Sequence, residues 1–262
     1  MIADGRKNGE VTTFFTDREG GVSQGCFASF NLGYFSGDER SNVDANRSLL
    51  CGVLGIPPEN LIVPNEVHGN QVMMIDHDSL RVPMAERDEF FKCDALVTTC
   101  WNICLGVTVA DCVPVLLFDG KGTIIAAAHA GWKGIVSDVL GETVRRMCEI
   151  SSVASSDLYA EIWPSISAPR FEVGEEVVER FRSLFSEKEM SGILVRKGYP
   201  KPHLNLRGAV RARLLALGLQ DTRIWTHPDC TFSDPRYFSA RRDGFACGRM
   251  VAGIMRIKNY GG

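Results

Sequence analysis

Three residues of the 262-residue chain have the chemistry of metal ligands and stand at strand ends or turns. His68 lies in "NEVHGN" before a Gly turn, Cys112 in "VADCVPV" between two apolar runs, and His129 in "AAAHAGWKG" ahead of a Gly-rich turn. A thiolate and two imidazoles suit zinc. Three protein ligands leave a fourth position for water, the arrangement of a catalytic site. Their spacings of 44 and 17 residues match no zinc finger. Taken one at a time, each has a plainer reading: Cys112 as a buried thiol, His129 as a ring bonded to a nearby carbonyl, His68 as a turn residue. His77 and His203 read as ordinary loop residues, and His227 in "THPDC" as an outside candidate.

Cationic groups suggest a second kind of chemistry. The turn Gly131-Trp132-Lys133-Gly134 precedes a helical pattern, so free N–H groups and Lys133 could attract an anion. Arg241, in "FSARRDG", could clamp a phosphate or carboxylate. Both segments read equally well as a plain turn with a solvated lysine and as surface charge.

The elements that must position these residues follow from patterning. "VTTFFT" (Val11–Thr16) reads as a strand. Residues 41–55 have helical spacing, with Ser41 as N-cap and Pro57-Pro58 as terminator. "LIVPNEVHG" and "QVMMID" read as short strands around a turn at Gly69-Asn70. Four apolar runs follow at 94–99, 103–110, 113–119 and 123–130, as expected of strands covered on both faces. Helices are expected over 135–150, 174–185 and 205–219, and further strands over 158–163 and 250–257. The charged stretch 77–93 reads as a surface excursion or a lid. No linker-like stretch divides the chain, so residues 1–262 are expected to form one α+β layered domain with mixed sheets.

Composition narrows the class. A net charge of −3 gives no reason to expect nucleic acid or an anionic membrane as partner. No apolar run approaches the length of a membrane span, and the polar N-terminus lacks a signal peptide's apolar stretch, so a cytoplasmic location is expected. Nine cysteines, an odd number, read as free thiols or ligands. Cys93, Cys100, Cys104 and Cys112 crowd one region without a CxxC pair, which disfavours a zinc ribbon.

The segments "TDREGGVSQGCFASFNLG", "VHGNQV", "DALVTT…ADCVPVLLFD", "AAAHAGWKG", "PSIS…FEVGEEV", "HLNLRGAVRARLLALGL" and "FSARRDGFACGRMVA" occur in this order. Together they resemble the YfiH family, also called multicopper polyphenol oxidoreductases or laccase-domain proteins. The resemblance spans nearly the whole chain, and the combination of ADC with HAGW carries it. It implies a four-layer α/β/β/α sandwich, akin to the cytotoxic-necrotizing-factor-like fold, and a zinc site at His68, Cys112 and His129. It implies purine nucleoside chemistry: phosphorolysis of adenosine, inosine, guanosine and methylthioadenosine, and deamination of adenosine. In that chemistry Arg18, Lys133 and Arg241 are candidates for binding phosphate, and Asp111 and Glu66 for moving protons. Asp111 could equally orient a ligand histidine.

Other readings stay open: a Cys-His hydrolase with Cys112 as nucleophile and His129 as base, including peptidoglycan precursor editing; a polyphenol oxidase, as the family label suggests; or a non-catalytic metal- and nucleotide-binding protein. Copper is a possible alternative to zinc. A multicopper oxidase, however, needs several histidine-rich copper sites, and the chain has five histidines. Two positions depart from the family pattern. Glu66 replaces the usual Gln before Val-His-Gly, and Trp163 replaces a Gly before Pro-Ser-Ile. The first could change the site's charge or provide a base; the second could narrow a pocket or simply pack.

Overall fold

The computed structural model describes residues 1–257. Two large sheets dominate. One has five strands in the order Ile2–Asn8, Val11–Thr16, Met250–Arg256, Cys104–Val109 and Leu61–Ile62. The other has six, in the order Ile224–Thr226, Leu158–Ile162, Val113–Asp119, Ile125–Ala130, Ala95–Thr98 and Val72–Met74. Both mix parallel and antiparallel pairs.

The apolar runs of the middle of the chain are explained by burial on both faces. Leu96, Leu116, Ile125 and Ala127 of the six-stranded sheet share a core with Phe15, Leu105 and Val107 of the five-stranded one. Their immediate neighbours Val97, Val115, Ala126 and Ala128 face the opposite way, against Val144, Val178 and Val210 from three helices. The outer face of the five-stranded sheet packs Phe14 and Val251 on Leu50 and Cys51 of the helix Arg40–Leu54. The strand period of two thus builds four layers, helix, sheet, sheet and helices, as the sequence resemblance implied. Among the described residues, no helix is long and apolar enough to cross a membrane.

Several local expectations are corrected. The helix Arg40–Leu54 starts after Glu39, not Ser41, and its N-cap side chain makes no capping bond. It does end at Gly55, in the left-handed conformation, before the two prolines. The strands Leu61–Ile62 and Val72–Met74 do not pair with one another: each joins a different sheet. The pattern over 135–150 resolves into two helices, Trp132–Val136 and Val139–Ser151. The break is Asp138, left-handed at φ 64°, which caps the second helix by accepting from Gly141 N–H and is gripped by Arg213. The stretch 77–93 is a surface excursion pinned by Arg87, which donates to the carbonyls of Glu59, Leu80 and Val82.

Candidate metal centre

The three candidate ligands meet where the chain passes from one sheet to the other. Residues 110–112 join Cys104–Val109 of the first sheet to Val113–Asp119 of the second, and Cys112 lies in that crossing. A second crossing, between Leu61–Ile62 and Val72–Met74, carries His68. His129 sits in the strand Ile125–Ala130, where alternation points it, like Ala127, away from the helices and into the space between the sheets. The register Val113↔Ala130 and Pro114↔His129 brings Cys112 alongside Gly131. One ligand atom from each of His68, Cys112 and His129 lies within 4.8 Å of the others, and the two imidazole centroids are 4.9 Å apart.

Donors gathered this closely could hold one ion, with a small further approach to the roughly 2.0–2.3 Å typical of zinc–nitrogen and zinc–sulfur bonds. A second observation supports the fit. A Cβ on Gly131 would come within 3.0 Å of Cys112 Sγ, 3.6 Å of His68 Nδ1 and 3.7 Å of His129 Cε1. The glycine therefore leaves open the space that the three donors face. Local charge also favours a cation. Burial alone would push the His129 ring toward neutrality, but Glu66, Cys112 and the hydrogen bond to Asp94 outweigh it and raise its pKa well above 6.5. His68 shifts the other way, through burial and the nearby His129 charge.

The residue that organises this centre is Asp94, which the sequence reading passed over. Fully buried just before the strand Ala95–Thr98, it accepts from His68 N–H at 2.8 Å and Gly69 N–H at 2.7 Å, and its Oδ1 lies 3.2 Å from His129 Nδ1. Its carbonyl accepts from His129 N–H. Held so, the His129 ring donates from Nδ1 and turns Nε2 toward the other ligands. An aspartate ahead of an apolar strand was the available signal.

The two acidic candidates prove different. Glu66 stands at the triad, with Oε2 3.9 Å from His129 Nε2, and is fixed by Thr108, whose N–H and Oγ1 donate to its two carboxylate oxygens at 2.6 and 2.7 Å. Asp111, left-handed at φ 94°, spends its carboxylate on Thr231 Oγ1, Ser239 Oγ and Arg241 N–H. It ties the Cys112 turn to Thr231 and to the start of the last helix, Ala240–Asp243. It touches neither ligand histidine; the carboxylate that orients one is Asp94.

Two cavities open onto the triad. The larger, about 580 Å³, has Trp132, Phe171 and Val177 among its walls and brings Lys133 and Arg241 together. The smaller, about 210 Å³, is lined by Glu66, His129, Tyr34, Phe35, Arg47 and Arg249 among others. His68, Cys112, Ala110, Ala240 and Phe245 border both. Arg47 and Arg249 were not anticipated from sequence. Arg18 lines neither cavity: its Nε donates to the Ala28 carbonyl and its guanidinium lies 4.6 Å from the Phe238 ring centroid. The helix Trp132–Val136 has five residues, too short for a strong dipole, so side chains must supply the attraction for any anion. Trp163 is fully buried and stacks on Phe15 at 6.3 Å, so it packs the inter-sheet core and narrows neither cavity. His227 pairs with Asp4 at 3.1 Å, and His203 Nδ1 donates to the Lys201 carbonyl, both outside the triad.

The family described as multi-copper polyphenol oxidoreductase laccase matches residues 12–257. A purine nucleoside phosphorylase of Bacteroides thetaiotaomicron is 39% identical over 248 residues, covering 94% of this chain and 91% of the relative. A protein named adenosine deaminase RL5, from an unknown prokaryotic organism, is 34% identical over 249 residues, covering 94% of each chain. The crystal structure of YlmD from Geobacillus stearothermophilus superposes with a TM-score of 0.88 at 30% identity, covering 96% of this chain and 93% of that one.

Proposed function

The chain belongs to the family described as multi-copper polyphenol oxidoreductase laccase, and from that premise we propose that it is a zinc-dependent purine nucleoside enzyme. The observation that carries the reading is the convergence of His68, Cys112 and His129 where two cavities meet. Relatives named for nucleoside phosphorolysis and for adenosine deamination support the substrate class. Adenosine, inosine, guanosine and methylthioadenosine are the proposed substrates.

His68, Cys112 and His129 would hold the ion. Bound there, zinc would supply a Lewis acid able to polarise a substrate or water oxygen. The chain's own groups do the rest. Asp94 fixes the His129 ring so that Nε2 faces the centre. Lys133 and Arg241, on the larger-cavity side, bind and orient phosphate. In phosphorolysis a phosphate oxygen bonds to the ribose C1′ as the bond from C1′ to the purine nitrogen breaks. The electron pair leaves with the purine, which gains a proton. In deamination water adds at C6 of adenosine and ammonia departs. Glu66, anchored at both oxygens beside His129, is positioned to hand over the proton in either reaction.

The experiment is product analysis with adenosine, with and without phosphate. Adenine and ribose 1-phosphate should form only with phosphate, and inosine and ammonia in either condition. Turnover indifferent to phosphate, with Lys133→Ala silent, removes phosphorolysis.

A metal-free hydrolase is the second reading, favoured by one observation. Cys112 is within hydrogen-bonding reach of His129, whose other nitrogen meets Asp94, a Cys-His-Asp chain. It requires full activity in chelated protein and loss on alkylation of Cys112. The polyphenol oxidase reading needs further copper ligands, and His203 and His227 stand apart from the triad.

A further inference from the structure

Large apolar side chains left in water call for an explanation when they cluster beside a reactive centre. Phe245 is 86% exposed and Phe35 is 63% exposed, the two highest values among the large apolar residues described. They come from opposite ends of the chain, yet both line the smaller cavity beside Glu66 and His129. Phe245 also borders the larger cavity, so it stands at the junction over the triad.

Neither ring is on a loose end. Phe35 sits in a tight turn between Gly33 and Gly37, the latter left-handed at φ 98°. Phe245 follows Gly244, whose φ of 87° and ψ of 167° belong to a region that only glycine adopts readily. Arg249 braces the second loop, donating to the carbonyls of Phe245, Cys247 and Gly248. One fully buried side chain, Asn31, then joins the two loops. Its Oδ1 accepts from Gly33 N–H at 3.0 Å and from Arg249 N–H at 2.9 Å, and its Nδ2 donates to Ser36 Oγ. Two loops more than 200 residues apart are thereby held in one frame, each presenting a phenylalanine to the same cavity.

We infer that Phe35 and Phe245 form an aromatic clamp for the planar purine ring of the substrate, with Asn31 and Arg249 as positioning residues that set its jaws. The inference rests on the purine nucleoside reading. Aromatic faces bind any purine by stacking, which suits a site serving adenosine, inosine and guanosine alike. The clamp places the base on the smaller-cavity side of the triad. Phosphate then reaches C1′ from the larger cavity, where Lys133 and Arg241 lie.

The test measures adenosine and adenine binding to the zinc-loaded protein by calorimetry, alongside steady-state kinetics. Phe245→Ala and Phe35→Ala should each weaken nucleoside binding and raise its KM about tenfold, the size of one base–aromatic stack. Zinc content should not move in either variant, nor the KM for phosphate in Phe35→Ala, whose ring lines only the smaller cavity. Phe245→Tyr should bind within about twofold of wild type, while Phe245→Leu should resemble the alanine variant. Unchanged binding in both alanine variants, Leu binding as tightly as Tyr, or no purine binding by wild type would each overturn the clamp. If wild type binds purines but never cleaves the nucleoside with phosphate, phosphorolysis falls, and the clamp is still decided by the calorimetry.

Discussion

Replacing Asp94 by Asn keeps the shape of the side chain and removes one acceptor oxygen. Three donors converge on this carboxylate. His68 N–H and His129 Nδ1 meet Oδ1, and Gly69 N–H meets Oδ2. An amide offers one oxygen and one NH2. With its oxygen in the Oδ1 position, the NH2 faces Gly69 N–H. With the amide flipped, it faces His68 N–H and drives His129 to accept at Nδ1, which moves the ring proton to Nε2. Either way a half-buried hydrogen bond is lost, at a cost of about 1 kcal/mol in stability. The flipped state also protonates the nitrogen that must bind the metal. Loss of such a partner to a ligand histidine weakens metal binding roughly 10–100-fold. The assay is competition against a chelator for zinc and for cobalt, whose visible spectrum reports thiolate ligation, on wild type and Asp94→Asn. Zinc affinity within twofold of wild type, with an unchanged His129 tautomer by nitrogen NMR, would refute the reasoning.

Four further outcomes are expected. Gly131→Ala keeps an allowed backbone, at φ −68°, but puts a methyl 3.0 Å from Cys112 Sγ, so zinc affinity should fall while the melting temperature of chelated protein holds or rises slightly, as calorimetry with and without chelator will show. Cys112→Ala and His129→Ala should each abolish stoichiometric zinc by mass spectrometry and nucleoside turnover, yet retain near-wild-type circular dichroism, because a core of this size does not depend on one ion. Copper reconstitution should stop at one ion per chain, since the triad is the one His/Cys group found among the described residues; several coppers with robust phenol oxidation would contradict this. Burial works against the Asp38 carboxylate, but hydrogen bonds from Asn31, Ser23, Asn42 and Glu39 N–H outweigh it and hold its pKa below 3.8. A depressed folded pKa contributes stability above the unfolded value that is lost as pH falls through the folded one, so Asp38→Asn should flatten urea-measured stability below about pH 4.

Much of the frame was legible because strands buried on both faces leave long apolar runs. Val113–Asp119 was delimited without error, and Ile125–Ala130 within two residues, for this reason. The helix expected over 135–150 failed because its apolar spacing continues through Asp138, where the backbone turns left-handed under the grip of Arg213, a partner 75 residues away. The two strands around His68 form, but the sheets they join were not legible, for a related reason. A hairpin and a crossing between two sheets have the same local pattern, and only the partners Cys104 and Ala95 tell them apart. The triad was legible as residue types, and its convergence came from the resemblance. The one signal for Asp94 was its place ahead of an apolar strand, and Arg249 and Asn31 were not legible, since they act largely through backbone groups that sequence spacing does not reveal.

The backbone at the centre explains why buried carboxylates are needed there. Among the described residues five non-glycine positions have positive φ, and two of them, His68 and Asp111, belong to this site. Such conformations cost on the order of 1–3 kcal/mol each and persist only where the surroundings over-determine them. At His68 the determinant is Asp94, which takes the N–H groups of both His68 and Gly69. At Asp111 it is the residue's own carboxylate, which takes Thr231, Ser239 and Arg241. Each crossing between the sheets is thus bent into a strained turn and locked by one buried aspartate, and each delivers one ligand, His68 or Cys112. His129 needs no such turn because the strand register delivers it. The two aspartates should therefore separate by experiment. Loss of Asp94 disturbs two histidines and the tautomer of one. Asp111→Asn leaves the tautomer alone and shifts Cys112 and the Arg241 segment, so its effect should fall on cobalt–thiolate absorption and on the phosphate KM. A changed His129 tautomer in Asp111→Asn, with those two quantities intact, would show that the division of labour is wrong.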